Sequence, residues 1–338
     1  MSGCGAALNA SSSGQDHAGE VMETSSTFAM DTLVSQNAYG ERAKEAMQEV
    51  NKALAEADGR LSLFAEQSEI VRVNQEAGRR GADVSEDTAA LLRQALALSS
   101  QSEGCFAVTI APLTLAWGIT GEQPRVVPQR EVDELLSLVD DSLVQIEGNH
   151  VLLPKEGMGI DLGGIAKGAA CSRAAEIYES YGVESALLSI GGNIYARGEK
   201  PDGTPWRVGF RDPEGGEGSY IASFSLRDSV IAVSGGYERY FEQEGVQYIH
   251  ILDPRTGRPA ESDIVSVGVI EEDGATADFW STTLFVQGTQ AALAYMRQGG
   301  RAVVLDDEGN LYVSQEMQSD FSLYPETEKA YEVHFIPH

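Results

Sequence analysis

A histidine opens the turn-forming stretch HILDPRTGRPA at positions 250–260. An imidazole accepts a proton near neutral pH, so His250 is a candidate general base. Asp253-Pro254 and Thr256-Gly257 predict a tight loop directly after it. A lone histidine is more often structural than catalytic, and the stretch also fits a surface loop between two strands.

Asp278 and Thr282 are four residues apart in TADFWSTT, residues 276–283. On a predicted helix this spacing places both side chains on one face. Carboxylate and hydroxyl oxygens are hard ligands of the kind that Mg²⁺ takes. The alternative is local: Asp278 caps the helix and Thr282 bonds back to the chain.

Three glycines lie close together in IDLGGIAKG, residues 160–168. Gly163, Gly164 and Gly168 permit close approach of the backbone to a ligand, and a helix that begins near Lys167 would direct N–H groups at an anion. The stretch has neither the Walker A nor the GxGxxG spacing. A glycine-rich structural turn explains it equally well.

The elements that must position these residues follow from periodicity. Residues 41–57, 277–288 and 289–300 are predicted helices, and Ser85 begins a capping pattern for another. Short β-branched runs between residues 206 and 270 predict an antiparallel sheet. Because helices and strands occur in separate runs, we expect an α+β fold, a single large domain with antiparallel sheets flanked by helices.

Two further segments carry predictions that depend on turn and proline signals. Residues 27–40 predict a strand that runs into a turn. Residues 104–118 are apolar but contain Pro112, which predicts strand only in pieces.

The bulk composition limits the partners. The chain has 338 residues, 42% of them hydrophobic, and a formal net charge of −28. Such a surface repels nucleic acid and anionic headgroups, so no nucleic-acid partner is expected. It also repels a polyphosphate, so a bound nucleotide would need a metal ion or local cations.

The three cysteines have different surroundings. Cys105 and Cys171 have apolar or small neighbours and are predicted core residues, whereas Cys4 lies in the polar stretch MSGCGAALNASSSGQ. That stretch looks like the end of a bacterial lipoprotein signal, which predicts an exported protein. It would be periplasmic or anchored by a lipid on Cys4, its only membrane contact, to the outer face of the cytoplasmic membrane. Residues 1–26 would be a disordered tether before a domain at 27–338. The alternative is a tag-like tail with an incidental cysteine.

The order of the motifs carries more information than any one of them. Between about residues 28 and 315 the chain resembles the ApbE family, the FAD:protein FMN transferases. The resemblance is carried by the series MDT, LSLFAEQSEIVRVN, FAVTIAPLTLAWG, IDLGGIAKG, SIGGNIYARG, SGGYERYF, YIHILDPRTGRPA and ADFWSTTLFVQG.

That resemblance implies an activity and its participants. Family members bind FAD with Mg²⁺ and move the FMN half to a threonine or serine hydroxyl of an acceptor protein, releasing AMP. The acceptors are flavin-bearing electron-transfer subunits or extracellular reductases that carry a short Ser/Thr motif. Two alternatives stay open, an FAD-binding lipoprotein without transfer activity and a Mg²⁺-dependent FAD pyrophosphatase.

The resemblance also implies the site residues. His250 matches the proposed base. The metal site would comprise Asp278 and Thr282, with main-chain oxygens near Ala166 and Ser281. The residues expected to contact the cofactor are Met30, Phe64, Ala107, Val108, Thr109, Gly163, Lys167, Ala169, Leu252 and Arg255. Among them, Lys167 and Arg255 would add positive charge.

The chain departs from the family pattern at three positions. Asp31 stands where the family commonly has glycine, and Ala107 and Ser172 stand where it often has aspartate. Two carboxylates that the family often has near the cofactor are therefore replaced, while the metal pair and the histidine remain.

Overall fold

A computed structural model of the protein describes residues 21–121, 123–216 and 218–338. Cys4 and most of the predicted tether lie outside these residues, so its lipidation stays a prediction. In the described part of the chain no helix is both long enough and apolar enough to span a bilayer.

Helices and strands alternate in blocks along the described chain. The α-helices are α1 Ala43–Leu61, α2 Glu69–Gln75, α3 Glu86–Ser99, α4 Ala111–Trp117, α5 Gln129–Leu136, α6 Ala166–Ser180, α7 Gly274–Gln287 and α8 Thr289–Arg297. Short 3₁₀ turns occupy Asp141–Leu143 and Gln315–Met317. The strands are β1 Glu23–Ala29, β2 Thr32–Tyr39, β3 Ala82–Asp83, β4 Gln145–Glu147, β5 His150–Leu152, β6 Ser185–Ile190, β7 Asn193–Arg197, β8 Trp206–Arg211, β9 Tyr220–Leu226, β10 Ser229–Gly235, β11 Tyr240–Gln243, β12 Val246–Ile249, β13 Leu252–Asp253, β14 Arg258–Pro259, β15 Ile264–Glu271, β16 Arg301–Asp306, β17 Asn310–Ser314, β18 Phe321–Leu323 and β19 Glu332–Ile336.

A nine-stranded sheet forms the centre of the fold, in the order β1-β2-β6-β7-β10-β15-β16-β17-β19. Every neighbouring pair is antiparallel except β17 and β19, which run parallel. This confirms the predicted α+β fold with antiparallel sheets.

The two faces of this sheet are covered differently, as the two-residue period of a strand requires. On one face Leu188 and Ala232 pack with α1 and α6, and Val267 and Val304 pack with α7 and α8. On the opposite face Leu187 packs with the small β18-β9-β8 sheet. The face that carries α6 and α7 is therefore the one that positions Lys167 and Asp278.

A second group of helices lies beside α7. Helices α2 and α3 share a core with the glycine stretch and with Phe279 of α7. Helices α4 and α5 form a smaller cluster, around Trp117, that also contacts Leu252. The glycine stretch therefore packs with α2, α3 and α7, and Leu252 packs against the α4–α5 cluster.

The prediction for residues 104–118 was wrong, because this segment contains helix α4. Pro112 lies in the first turn of the helix, where no N–H donor is needed. The helix ends at Gly118, which has the left-handed φ of 62° that favours glycine. In this segment the proline marks the start of a helix and does not interrupt a strand.

Residues 27–40 form a hairpin rather than one strand and a turn. Strands β1 and β2 are joined at Met30 and Asp31, both with positive φ of 51° and 57°. This two-residue turn was not recognised because neither residue is glycine. Strand β1 already begins at Glu23, paired with Ala38, so regular structure starts before residue 27.

Candidate active site

His250 directly follows β12, where its ring is held by one main-chain carbonyl. The His250 backbone N–H donates to the Arg239 oxygen at 3.0 Å, and ring Nδ1 lies 3.2 Å from the same oxygen. A carbonyl only accepts hydrogen bonds, so Nδ1 carries the ring proton. The neutral ring then has Nε2 as its acceptor, which is what a general base requires.

The surroundings keep this imidazole neutral. Burial lowers the pKa of His250 to about 4, and the positive charges of Lys167 and Arg239 act in the same direction. The ring lines a small cavity together with Thr114, Trp117, Ile119, Thr120 and Leu252. His250 is therefore available to accept a proton at neutral pH.

Asp278 lies in the body of α7 with its carboxylate buried. Its Oδ2 accepts the Gly168 N–H at 2.8 Å, which ties α7 to the first turn of α6. It does not cap α7, because the N-cap is Asp273, whose carboxylate accepts from the Thr276 N–H at 2.9 Å. The local alternative for Asp278 is thus wrong.

Helices α6 and α7 approach closely because both carry glycine at the contact. A Cβ on Gly168 would overlap the Gly274 carbonyl and would lie 2.7 Å from the Asp278 Cβ. Gly168 therefore serves helix packing as well as the Asp278 hydrogen bond.

Hydroxyl groups cluster one turn along from Asp278. Ser281 Oγ donates to the Asp278 carbonyl at 2.9 Å and lies 2.9 Å from Ser234 Oγ. Thr282 Oγ1 is 3.4 Å from Ser234 Oγ, and a Cβ on Gly164 would lie 3.4 Å from it. The glycine stretch thus lies against Thr282.

Glu238 adds a second carboxyl group to this region. Burial raises the pKa of Glu238 to about 7, with Lys167 and Arg239 opposing the shift and the negative Asp278 adding to it. The positive charge of Lys167 thus lowers the pKa of His250 and opposes the rise in the pKa of Glu238.

The oxygen groups here fit a hard divalent cation such as Mg²⁺. Asp278 is a buried carboxylate, and Glu238 beside it is pushed toward its neutral form, so added positive charge would be favourable. The described residues include no group of three or more His, Cys, Asp or Glu side chains arranged for a metal. A metal here would therefore depend on one carboxylate with hydroxyl and main-chain oxygens, including those of Ala166 and Ser281.

The remaining predicted cofactor residues are placed around these groups. Val108 and Thr109 are buried, and Ala107 and Ala169 are partly buried, Ala169 against the core formed by α2 and α3. Gly163 donates its N–H to Asp161 Oδ1 at 2.8 Å.

For three other predicted residues the structure gives the local surroundings. Met30 is at the β1–β2 turn and packs against two of the cores. Phe64 is 53% exposed beside Gly121. Arg255 pairs with Asp253 at 2.8 Å, and the charges that act on His250 come from other residues.

Sequence reasoning missed Glu238 and Arg239, although SGGYERYF was noted as a motif. Both lie between β10 and β11, and Arg239 supplies the carbonyl that orients His250. A signal was present: a charged pair one residue after the double glycine Gly235-Gly236, in a chain with few cations.

Comparisons with known proteins agree with this geometry. Residues 30–305 match the ApbE family. A Vibrio cholerae relative named FAD:protein FMN transferase is 35% identical over 254 residues, 75% of this chain and 76% of the relative. An Escherichia coli K12 relative of the same name is 31% identical over 278 residues, 80% of this chain and 79% of the relative. The chain belongs to the ApbE family.

Solved ApbE structures share the fold. The crystal structure of the ApbE protein from Thermotoga maritima has a TM-score of 0.82 at 31% identity, covering 89% of this chain and 99% of that one. The flavin transferase ApbE from Vibrio cholerae has a TM-score of 0.80 at 29% identity, covering 89% and 100%. The predictions of an ApbE-like fold and of an enzyme are confirmed.

Two departures from the ApbE pattern have local explanations. Asp31 tolerates the left-handed conformation of the β1–β2 turn, and its main-chain oxygen accepts from Arg239 at 2.8 Å. The Ser172 hydroxyl accepts the Gly274 N–H at 2.8 Å and so joins α6 to the start of α7.

Proposed function

We propose that this chain transfers the FMN half of FAD to a serine or threonine hydroxyl of an acceptor protein and releases AMP. The observation that carries the proposal is the state of His250. It is neutral, its Nδ1 proton is donated to the Arg239 carbonyl, and Nε2 is its remaining acceptor. The names of the relatives support the same reaction.

The reaction balances with one proton acceptor. The acceptor hydroxyl oxygen forms a bond to the phosphorus of the FMN half, and the bond from that phosphorus to the AMP oxygen breaks. The hydroxyl proton passes to His250 Nε2, and AMP leaves with the bonding electron pair. Lys167, next to the imidazole, would attract the phosphate oxygens and hold them there.

Asp278, Thr282 and the main-chain oxygens of Ala166 and Ser281 would hold Mg²⁺. When bound, the ion would withdraw charge from the diphosphate oxygens and offset the negative potential of the chain. The glycine stretch, together with Met30, Phe64 and Leu252, would contact the rest of FAD. The net charge of −28 makes such local compensation necessary.

The location of the reaction is a separate part of the proposal. A lipid on Cys4 would hold the enzyme at the outer face of the cytoplasmic membrane or in the periplasm, where an exported acceptor could reach it. Mass analysis of protein extracted from bacterial membranes tests this. Diacylglycerol on Cys4 is expected, and an unmodified Cys4 would contradict it.

The reaction is tested by incubating the protein with FAD, Mg²⁺ and a candidate acceptor domain. AMP is expected to appear in proportion to acceptor-bound flavin, with no free FMN. Equal release of FMN and AMP without acceptor would instead indicate an FAD pyrophosphatase. Bound but unreacted FAD would indicate a binding protein.

A further inference from the structure

The Phe106–Thr109 segment is held by a carboxylate from outside it. Asp141 Oδ1 accepts the Thr109 N–H at 2.8 Å and the Thr109 hydroxyl at 2.6 Å. Its Oδ2 accepts the Val108 N–H at 2.8 Å and the Ser99 hydroxyl at 2.7 Å. Asp141 lies in a short 3₁₀ turn, 32 residues beyond Thr109. Both carboxylate oxygens thus carry two hydrogen bonds each.

Hydrogen bonds connect this segment to Thr114, a residue that lines the His250 cavity. The Val108 carbonyl accepts the Asp161 N–H at 2.9 Å. The Asp161 carboxylate in turn accepts the Gly163 N–H at 2.8 Å and the Thr114 hydroxyl at 2.9 Å. Thr114 lines the cavity that contains His250. A shift of the segment would therefore move both the glycine stretch and α4.

The same segment also supports the helix that carries Asp278. The Phe106 ring packs edge-on against Phe279, with centroids 5.0 Å apart. A Cβ on Gly164 would approach Phe106 to 2.9 Å, so the glycine stretch lies directly on this ring. The segment is thus placed between the glycine stretch and α7.

We propose that Asp141 is a positioning residue for FAD, which fixes the Phe106–Thr109 segment against the glycine stretch. The inference rests on the proposed function for the identity of the ligand. It also explains why residue 107 can be alanine. The carboxylate that holds the turn at Val108-Thr109 belongs to Asp141, in another loop, and need not come from residue 107. Charge-assisted hydrogen bonds are among the stronger ones, and Asp141 accepts three from the segment: two from the backbone N–H groups of Val108 and Thr109 and one from the Thr109 hydroxyl.

The test compares Asp141→Ala with Asp140→Ala by titrating FAD in the presence of Mg²⁺ and following flavin fluorescence. Asp140 is the adjacent carboxylate, but it accepts only from the Ser142 N–H and hydroxyl. We expect Asp141→Ala to raise the Kd for FAD about tenfold or more, because charged hydrogen bonds are lost. Asp140 caps the 3₁₀ turn, but its carboxylate bonds to Ser142 and not to the Phe106–Thr109 segment, so Asp140→Ala should raise the Kd by no more than about threefold.

A rescue variant separates positioning from general destabilisation. Residue 107 immediately precedes the turn at Val108-Thr109, where an aspartate accepts the N–H two residues ahead. Adding Ala107→Asp to Asp141→Ala should therefore restore most of the FAD affinity. In steady-state transfer, Asp141→Ala should raise KM for FAD more than it lowers kcat.

Several results would overturn the inference. Asp141→Ala could bind FAD with the wild-type Kd, or Asp140→Ala could weaken FAD binding as much as Asp141→Ala does. Alternatively, adding Ala107→Asp to Asp141→Ala could fail to restore the FAD affinity. If Asp141→Ala does not fold by circular dichroism, the near-isosteric Asp141→Asn takes its place, with the same weakening and rescue expected. Wild-type protein that binds FAD but transfers no flavin would contradict the proposed function and leave the role of Asp141 standing.

Discussion

His250 has a fixed tautomer and a pKa far below that of free imidazole. The Arg239 carbonyl fixes the tautomer, and burial together with the charge of Lys167 lowers the pKa. Sequence reasoning identified His250 from the turn residues behind it and from the family resemblance. It could not identify the partner of Nδ1, because Arg239 is brought there by the β11–β12 hairpin.

Replacing His250 with alanine should abolish transfer without abolishing FAD binding. Loss of a general base typically costs about 10²–10⁴-fold in rate, while the phosphate and flavin contacts remain. The matched control is His150→Ala. His150 lies in β5 and pairs with Asp83 at 2.8 Å, outside the site. Rapid transfer by His250→Ala, measured by acceptor mass, would remove the imidazole from the mechanism.

The low pKa of His250 predicts that activity persists to a lower pH than an ordinary histidine base would allow. In the free enzyme the base stays neutral well below the usual histidine value of 6.5, down to about 4. The acidic limb of kcat/KM should therefore lie near pH 4 instead of near 6.5. The neutral ring also stabilises the fold above pH 6.5, and this contribution is lost as the pH falls through about 4. A limb centred at 6.5 in the kcat/KM profile would show that the imidazole is not desolvated.

At the scale of elements, the site depends on the contact between α6 and α7. Two glycines allow the contact, and Asp278 reaches across it to Gly168. The sequence predicted both helices but not their exact starts: α7 begins at Gly274, three residues before the predicted position 277, and α6 has no side-chain cap at Ile165. The prediction failed for α4, because a proline in an apolar run marks a strand end as readily as a helix start.

Substituting Asp278, in the body of α7, and Asp273, its N-cap, should distinguish an effect on metal binding from an effect on helix stability. Asp278→Ala should weaken Mg²⁺-dependent activity about tenfold or more and raise the Mg²⁺ concentration for half activity. Asp273→Ala should instead lower the free energy of unfolding by about 1 kcal/mol, the usual effect of a lost N-cap, with unchanged Mg²⁺ dependence. A Mg²⁺ titration and urea unfolding of both variants measure this. The same Mg²⁺ curve for Asp278→Ala and wild type would rule out the ligand assignment.

Glycine substitutions test the close packing directly. Gly168→Ala places a methyl group into the Gly274 carbonyl, so it should lower the free energy of unfolding by about 1–3 kcal/mol. Gly59→Ala is the matched control within α1. A Cβ there meets no atom within 4 Å, so it should stabilise by about 0.5–1 kcal/mol. If Gly168→Ala and wild type had the same free energy of unfolding in urea, α6 and α7 would have to be farther apart than in the structure.

At the scale of the whole molecule, the strongly negative charge and the anionic substrate impose one requirement. Positive charge must be concentrated where the diphosphate binds, and Lys167, Arg239 and a divalent cation would concentrate it there. The order of motifs predicted this assembly and the family. It did not reveal Glu238 or Asp141, because their roles arise from contacts between segments far apart in sequence.

The central claim is that one metal and one imidazole act on the same diphosphate. A crystal structure with FAD and Mn²⁺ in place of Mg²⁺ tests it, since Mn²⁺ is located by its anomalous signal. We expect the ion at Asp278 and Thr282, within coordination distance of their oxygens, close to the roughly 2.0–2.1 Å of a Mg²⁺ site. The diphosphate should lie on the ion, with His250 Nε2 facing it. An ion bound elsewhere, or a diphosphate out of reach of His250, would contradict the account.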